Sequence, residues 1–230
     1  MLTIDDLSES SLRIDLSKYV QPSHSGSELM DKLTLGTLRS VSFSHIRAAL
    51  GKVQDNMAII SYGRSFGRFQ VSLEVFERMR MSLMISKLPT LGENPENAVK
   101  TLSVPDLQSI GTDFNFVLGT IRGMVAAKDL PLMEARFNFR KNGQFSMEKI
   151  APFKTSICAI LNNPKADVIG VRMEYYDESD TKHIVDVRQE KEEMRFYNRF
   201  EFPITGSVVL EEIFNRSLKL LNSVYDRLGR

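Results

Sequence analysis

Four arginines, Arg64, Arg68, Arg78 and Arg80, stand close in sequence to Tyr62, Phe66 and Phe76. Guanidinium groups grip phosphates as a bidentate fork, and aromatic faces stack on bases. This residue mix therefore suits an anion-binding or single-stranded nucleic-acid surface. Residues 31–90 hold nine Lys and Arg against four Asp and Glu, in a chain whose formal net charge is only +1. The same pattern also describes a solvated strand face whose cations discourage edge-to-edge pairing, and Glu74 weighs toward that plainer reading.

His183 has Asp180 and Asp186 close by in sequence. With Tyr175 and Glu174 it makes the group to test first for catalysis or small-ligand binding, since a carboxylate can orient an imidazole for proton transfer. These residues also sit in what reads as a solvated hairpin. Cys158 lies between Ile157 and Ala159 and reads as a buried, inert thiol. His24, His45 and His183 have no ligand spacing between them, and a lone cysteine cannot complete a zinc site, so no metal is expected. Asp177, Glu178 and Asp180 lack the alternating oxygens and glycine of an EF-hand loop. Gly63-Arg64-Ser65-Phe66-Gly67 is glycine-bracketed and basic but is not a P-loop, and the segment after it reads as a strand rather than a helix. No cofactor is expected.

The elements that would position these groups are mostly strands. From Arg68 to Ser86, apolar residues occupy Phe69, Val71, Leu73, Val75, Met79, Met81, Leu83 and Ile85, with Glu77 the one exception. Side chains alternate faces along a strand, so this is one buried face and one wet face. The adjacent exceptions Phe76 and Glu77 predict a bend there, giving two strands in one line. Arg68, Arg78 and Arg80 then share the wet face. A second alternating run, Met133 to Phe139, leads into Lys141-Asn142-Gly143. A three-residue loop there predicts a hairpin that pairs Phe139 with Phe145 and Phe137 with Met147.

Further strands are predicted within 152–161, from 169 to 175 and its return 183–187, and from 194 to 202, where Pro203 stops the chain. Met57 to Tyr62 is a short apolar run, and Gly63 to Gly67 reads as a turn. Ser44 is placed to cap a helix through Val53, and 114–127 suits either helix or strand. The chain closes with a helix over 207–228. Its seam of Leu210, Phe214, Ser217, Leu221, Val224 and Leu228 is expected to dock on its own sheet, and Gly229 is its stop. Residues 1–28, rich in Ser and Asp, read as a polar arm. Residues 29–230 read as a single β-rich domain.

The fold class is therefore α+β, mainly antiparallel, with a sandwich or jelly-roll-like body, a C-terminal amphipathic helix and a polar N-terminal arm. A chain of 230 residues can bury a sizeable core, and one cysteine precludes an internal disulfide. No run of about 20 apolar residues occurs, and the first ten residues lack a signal-peptide pattern. An intracellular, cytoplasmic protein is expected. Without a catalytic motif, the expectation is a non-enzymatic binding or assembly protein. Its partner would be another protein, itself or, through the basic strand face, nucleic acid; a small molecule is not the expected partner. Size and fold class suit viral structural or accessory proteins, by analogy at fold level only. The alternative is an enzyme or ligand-binding protein whose site is assembled in space.

Overall fold

The computed structural model describes residues 1–15, 45–47, 58–76, 80–88, 102–123 and 132–229. Nine strands and three helices are described: β1 (Leu7–Asp15), β2 (His45–Arg47), β3 (Ala58–Phe66), β4 (Phe69–Phe76), β5 (Arg80–Lys87), α1 (Val104–Gly123), β6 (Leu132–Asn142), α2 (Met147–Leu161), β7 (Gly170–Tyr176), β8 (Lys182–Glu190), β9 (Glu193–Pro203) and α3 (Leu210–Leu228). A single 3-10 turn, Ile4–Asp6, precedes them. The class is α+β with mainly antiparallel strands. The chain forms two compact units, one of Ser10–Ala135 with Glu201–Ile213, the other of Met1–Glu9, Arg136–Phe200 and Phe214–Arg230.

In the unit built on Ser10–Ala135 the strand order is β2-β3-β4-β5-β1. The β2·β3, β3·β4 and β4·β5 pairs are antiparallel. Phe69, Val71, Leu73, Val75, Met81, Leu83 and Ile85 are all at most 2% exposed. The alternation seen in sequence thus does bury one face. Helix α1 opens on a capping box: Asp106 Oδ2 accepts from the Ser103 amide (2.9 Å) and hydroxyl (2.6 Å), and the Asp106 amide reaches Ser103 Oγ. Its buried residues Leu107, Ile110, Phe114, Val117 and Leu118 recur at helical spacing. Asn115 clasps the backbone of Val208, donating to its carbonyl (2.8 Å) and accepting from its amide (2.7 Å).

In the other unit the order is β6-β9-β8-β7. Facing residues form rows across β7, β8 and β9: Tyr175–His183–Phe200, Met173–Val185–Asn198 and Val171–Val187–Phe196. Helix α3 buries Phe214, Ser217, Leu221, Val224 and Leu228 here. Phe137 stacks on Phe200 (6.1 Å) and meets the Phe214 ring edge-on (4.8 Å). Each of these rings is essentially fully buried, which stabilises by about 2–3 kcal/mol apiece. The predicted seam of α3 is buried at all six positions, Leu210 included.

Several sequence expectations change. Residues 1–15, the first part of the predicted polar arm, are held to the fold. Asn222 clasps the backbone of Leu2, Lys141 reaches the Met1 carbonyl (2.7 Å) and Asp6 (3.1 Å), and β1 buries Leu7, Leu12 and Ile14. The remainder of the predicted arm, 16–28, lies outside the described residues. Within each of the two compact units a helix packs against strands, α1 through Ser109 on Arg64 and α3 through Phe214 on Phe137.

The Arg68–Ser86 run is not two strands in one line. β4 and β5 pair antiparallel, with Val75 opposite Met81 and Phe69 opposite Lys87. β3 continues through Phe66, so the turn is Gly67-Arg68 alone, with Gly67 at a φ of 56° that favours glycine. The predicted helix from Ser44 begins instead as strand β2, and its remainder lies outside the described residues. The 139/145 hairpin does not form. β6 neighbours β9, Phe145 bridges to Gly229, and Met147 opens α2. The predicted 152–161 strand is the body of that helix. It tolerates Pro152 and ends at Asn162, whose φ of 48° and backbone bonds to Ala159 and Cys158 close the last turn.

Candidate functional site

Arg64 and Arg80 lie on opposite sides of the sheet. Residues directly opposite one another in a sheet lie on the same side. Arg64 faces Val71, a buried position, and so lies on the apolar side of the sheet. Its guanidinium covers the Phe66 ring (4.4 Å) and donates to Ser109 of α1 (3.0 Å). Arg80 faces Phe76 on the other side and pairs with Asp15 at 3.1 Å, both half-exposed. Arg68 is in the β3–β4 turn, and Arg78 lies outside the described residues. The register thus separates Arg64 from Arg80.

The group around His183 is also divided. His183 and Tyr175 face each other on the helix-covered side, their rings 5.1 Å apart and nearly parallel. Asp186 faces Arg172, and Glu174 faces Ile184, on the opposite side. There Asp186 takes both ends of the Arg188 guanidinium (3.0 and 2.9 Å), which pushes the Arg188 pKa up. Glu174 bridges Arg172 (2.8 Å) and Lys182 (3.1 Å), which hold its carboxyl below the usual range.

The partner that sequence spacing did not single out for His183 is Asp177. Asp177 Oδ2 lies 3.0 Å from His183 Nε2 and also accepts from Arg216 of α3. Its Oδ1 accepts the amides of Ser179 (2.9 Å) and Thr181 (3.0 Å). Partial burial opposes ionisation of Asp177. The hydrogen bonds from His183, the two amides and Arg216 outweigh it and hold the carboxyl well below the ordinary carboxylate range. Burial and then the Asp177 charge push the Tyr175 phenol up.

His183 is 2% exposed, with Phe200 stacked on its other side at 5.1 Å and the Arg216 guanidinium over Phe200 at 5.1 Å. His183 Nδ1 is buried with no acceptor, so the proton belongs on Nε2, facing Asp177. One ring nitrogen is engaged and the other enclosed. This geometry clamps the β7–β8 turn to α3 and offers no face of the imidazole to a substrate. The sequence signal was present in Asp177 itself, the first residue of an Asx-type turn, six positions before His183.

A different feature is open to solvent. Helix α2 carries Ile150, Phe153, Ile157, Ile160 and Leu161 at spacings of three and four, one stripe along its length. Ile150 is buried at 2%, whereas Phe153 is 48%, Ile160 80% and Leu161 62% exposed. Lys149 fastens the covered end by donating to the carbonyls of Asp226 (2.7 Å) and Gly229 (3.0 Å). Ile157, between Phe153 and Ile160, is partly covered, so the exposed part of the stripe is Phe153 together with Ile160 and Leu161 at the last turn. Cys158 flanks it, half-buried, with its thiol 3.5 Å from the Ala166 carbonyl.

No family model matches the chain, and no curated protein matches it. Among the described residues, no helix is long and apolar enough to cross a membrane.

Proposed function

We propose that this chain is a non-enzymatic binding and assembly protein that works by protein–protein contact through the uncovered part of α2. The observation that carries this reading is the exposure of three large apolar side chains, Phe153, Ile160 and Leu161, on one helix. A water-facing apolar row of this kind is costly for a monomer, and such rows mark contact surfaces. The buried His183 supports the non-enzymatic half of the reading, because its Nε2 faces Asp177 and its Nδ1 is enclosed, so neither ring nitrogen is presented to solvent.

Sedimentation velocity of the full chain over a wide concentration range tests the proposal. The parent associates as concentration rises, and a variant carrying Phe153→Ser, Ile160→Ser and Leu161→Ser stays monomeric with an unchanged circular dichroism spectrum. Identical sedimentation of a folded variant and its parent would overturn it.

A further inference from the structure

The unit that holds α2 also ends in a strand edge. Strand β7 is the last in its sheet order, with β8 on one side. The Ile169 carbonyl and the Asp177 amide bond to the β8 side. Backbone direction alternates along a strand, so the N–H and C=O groups of Gly170, Arg172, Glu174 and Tyr176 point to the outer edge. An edge of this length is a template for another strand. Its flanks are apolar and exposed, Ile169 at 74% and Tyr176 at 67%.

Resting on the assembly reading above, we infer that β7 pairs antiparallel with β7 of a second copy of this chain, in the register that places Met173 opposite itself. Two-fold pairing within a continuous sheet requires that residues facing each other share a side, which leaves registers two residues apart. Sliding one way places Arg172 opposite Arg172; sliding the other way places Glu174 opposite Glu174. Like charges directly opposite destabilise a pair. Only the register centred on Met173 places Arg172 opposite Glu174, and symmetry makes that pair twice.

The same register places Tyr176 opposite Gly170. An aromatic ring set opposite an edge glycine is an arrangement known to reinforce strand pairing. Val171 meets Tyr175 on the covered side. Arg172 and Glu174 bond each other within the strand at 2.8 Å, with side chains 58% and 43% exposed. Exchanging an exposed ion pair for the same pair across an interface costs little.

Charge reversal on the full chain tests this by sedimentation velocity, with thermal melts to show that each variant folds. Arg172→Glu and Glu174→Arg each put like charges opposite one another twice, and each weakens dimerisation by about tenfold or more. The double variant, R172E with E174R, restores the pairing to near the parent level. As a second readout, Met173→Cys in a Cys158→Ser background forms an intermolecular disulfide on mild oxidation, because facing Cα atoms in a non-hydrogen-bonded pair lie about 4.5 Å apart.

A parent that stays monomeric at every soluble concentration overturns the inference, as does a double variant that associates no better than the singles. An Ile160→Asp arm separates the two proposals. If Ile160→Asp abolishes association and the charge variants do not, the β7 pairing is wrong and the α2 reading stands. If the charge variants abolish it and Ile160→Asp does not, the β7 pairing stands and the α2 reading falls.

Discussion

His183 donates its Nε2–H to Asp177 Oδ2 across 3.0 Å, from the middle of the three-ring row Tyr175–His183–Phe200. The bond joins the start of the β7–β8 turn to the second strand of that hairpin, and Arg216 ties the same carboxylate to α3. Asp177→Asn would turn an NH2 toward two donors, or surrender the turn amides instead. Loss of about 2–3 kcal/mol is expected, read as a lower urea midpoint at neutral pH, and a midpoint equal to the parent's would refute the clamp.

Acid should expose the same contact. The Asp177 carboxyl titrates lower in the folded chain than in the unfolded chain. Its contribution to stability is therefore fully present above the unfolded pKa of about 3.9 and is lost as pH falls from there toward the folded value. The parent and Asp177→Asn should thus converge in stability as pH is lowered below about 4. Urea titrations at a series of pH values check this; a gap that stays constant through the acid range would contradict it.

The two sides occupied by Arg64 and Arg80 predict unequal effects. Arg64→Ala removes a guanidinium that covers Phe66 and bonds Ser109, and should cost about 1 kcal/mol. Arg80→Ala breaks one half-exposed pair with Asp15 and should cost little, within about 0.5 kcal/mol. Chemical denaturation of the two variants side by side decides the matter, and equal losses would mean that both arginines lie in similar surroundings.

Asn198 Nδ2 donates to Ser217 Oγ at 3.2 Å where β9 meets α3, and both residues are fully buried. Ser217→Ala strands the amide and should destabilise by about 1–2 kcal/mol. Replacing both, Asn198→Val with Ser217→Ala, should recover most of that loss, since an apolar pair leaves nothing unsatisfied. Thermal melts of the single and double variants make the comparison; a double variant weaker than the single would show that the pair contributes more than its polar satisfaction.

How far the fold was legible turns on parity. The β4·β5 register pairs odd residues with odd ones, Val75 with Met81 and Leu73 with Leu83. Alternation then runs in phase through the reversal, and a hairpin reads like a single long strand. In β1 the buried positions change parity between Leu7 and the pair Leu12 and Ile14, which hid a strand inside a Ser-rich segment. Pro152 and a partial period-2 match masked α2, although Ile150, Phe153, Ile157, Ile160 and Leu161 keep helical spacing. The Ser103–Asp106 box that starts α1 is a legible helix start. The seam of α3 was legible because every seam position obeys one period and all are buried.

The candidate site was less legible. His183 and Tyr175 are brought together, because they face each other across β7 and β8. Asp186 and Glu174 were not, because they have the opposite parity. Alternation places Arg80 on the wet face, whereas Arg64 lies on the apolar side because β3 extends past the glycine that suggested a turn. The uncovered stripe of α2 was beyond reach, since spacing reveals an apolar row but not which of its turns the fold covers.

Cys158 offers the most direct measurement of the central claim, because it is the chain's one cysteine and flanks the α2 stripe. Its alkylation rate by a small maleimide can be followed across a dilution series of the unmodified chain. Contact through α2 predicts a rate that falls as protein concentration rises, and that recovers when Ile160→Ser is introduced. A rate independent of concentration would contradict assembly through this surface.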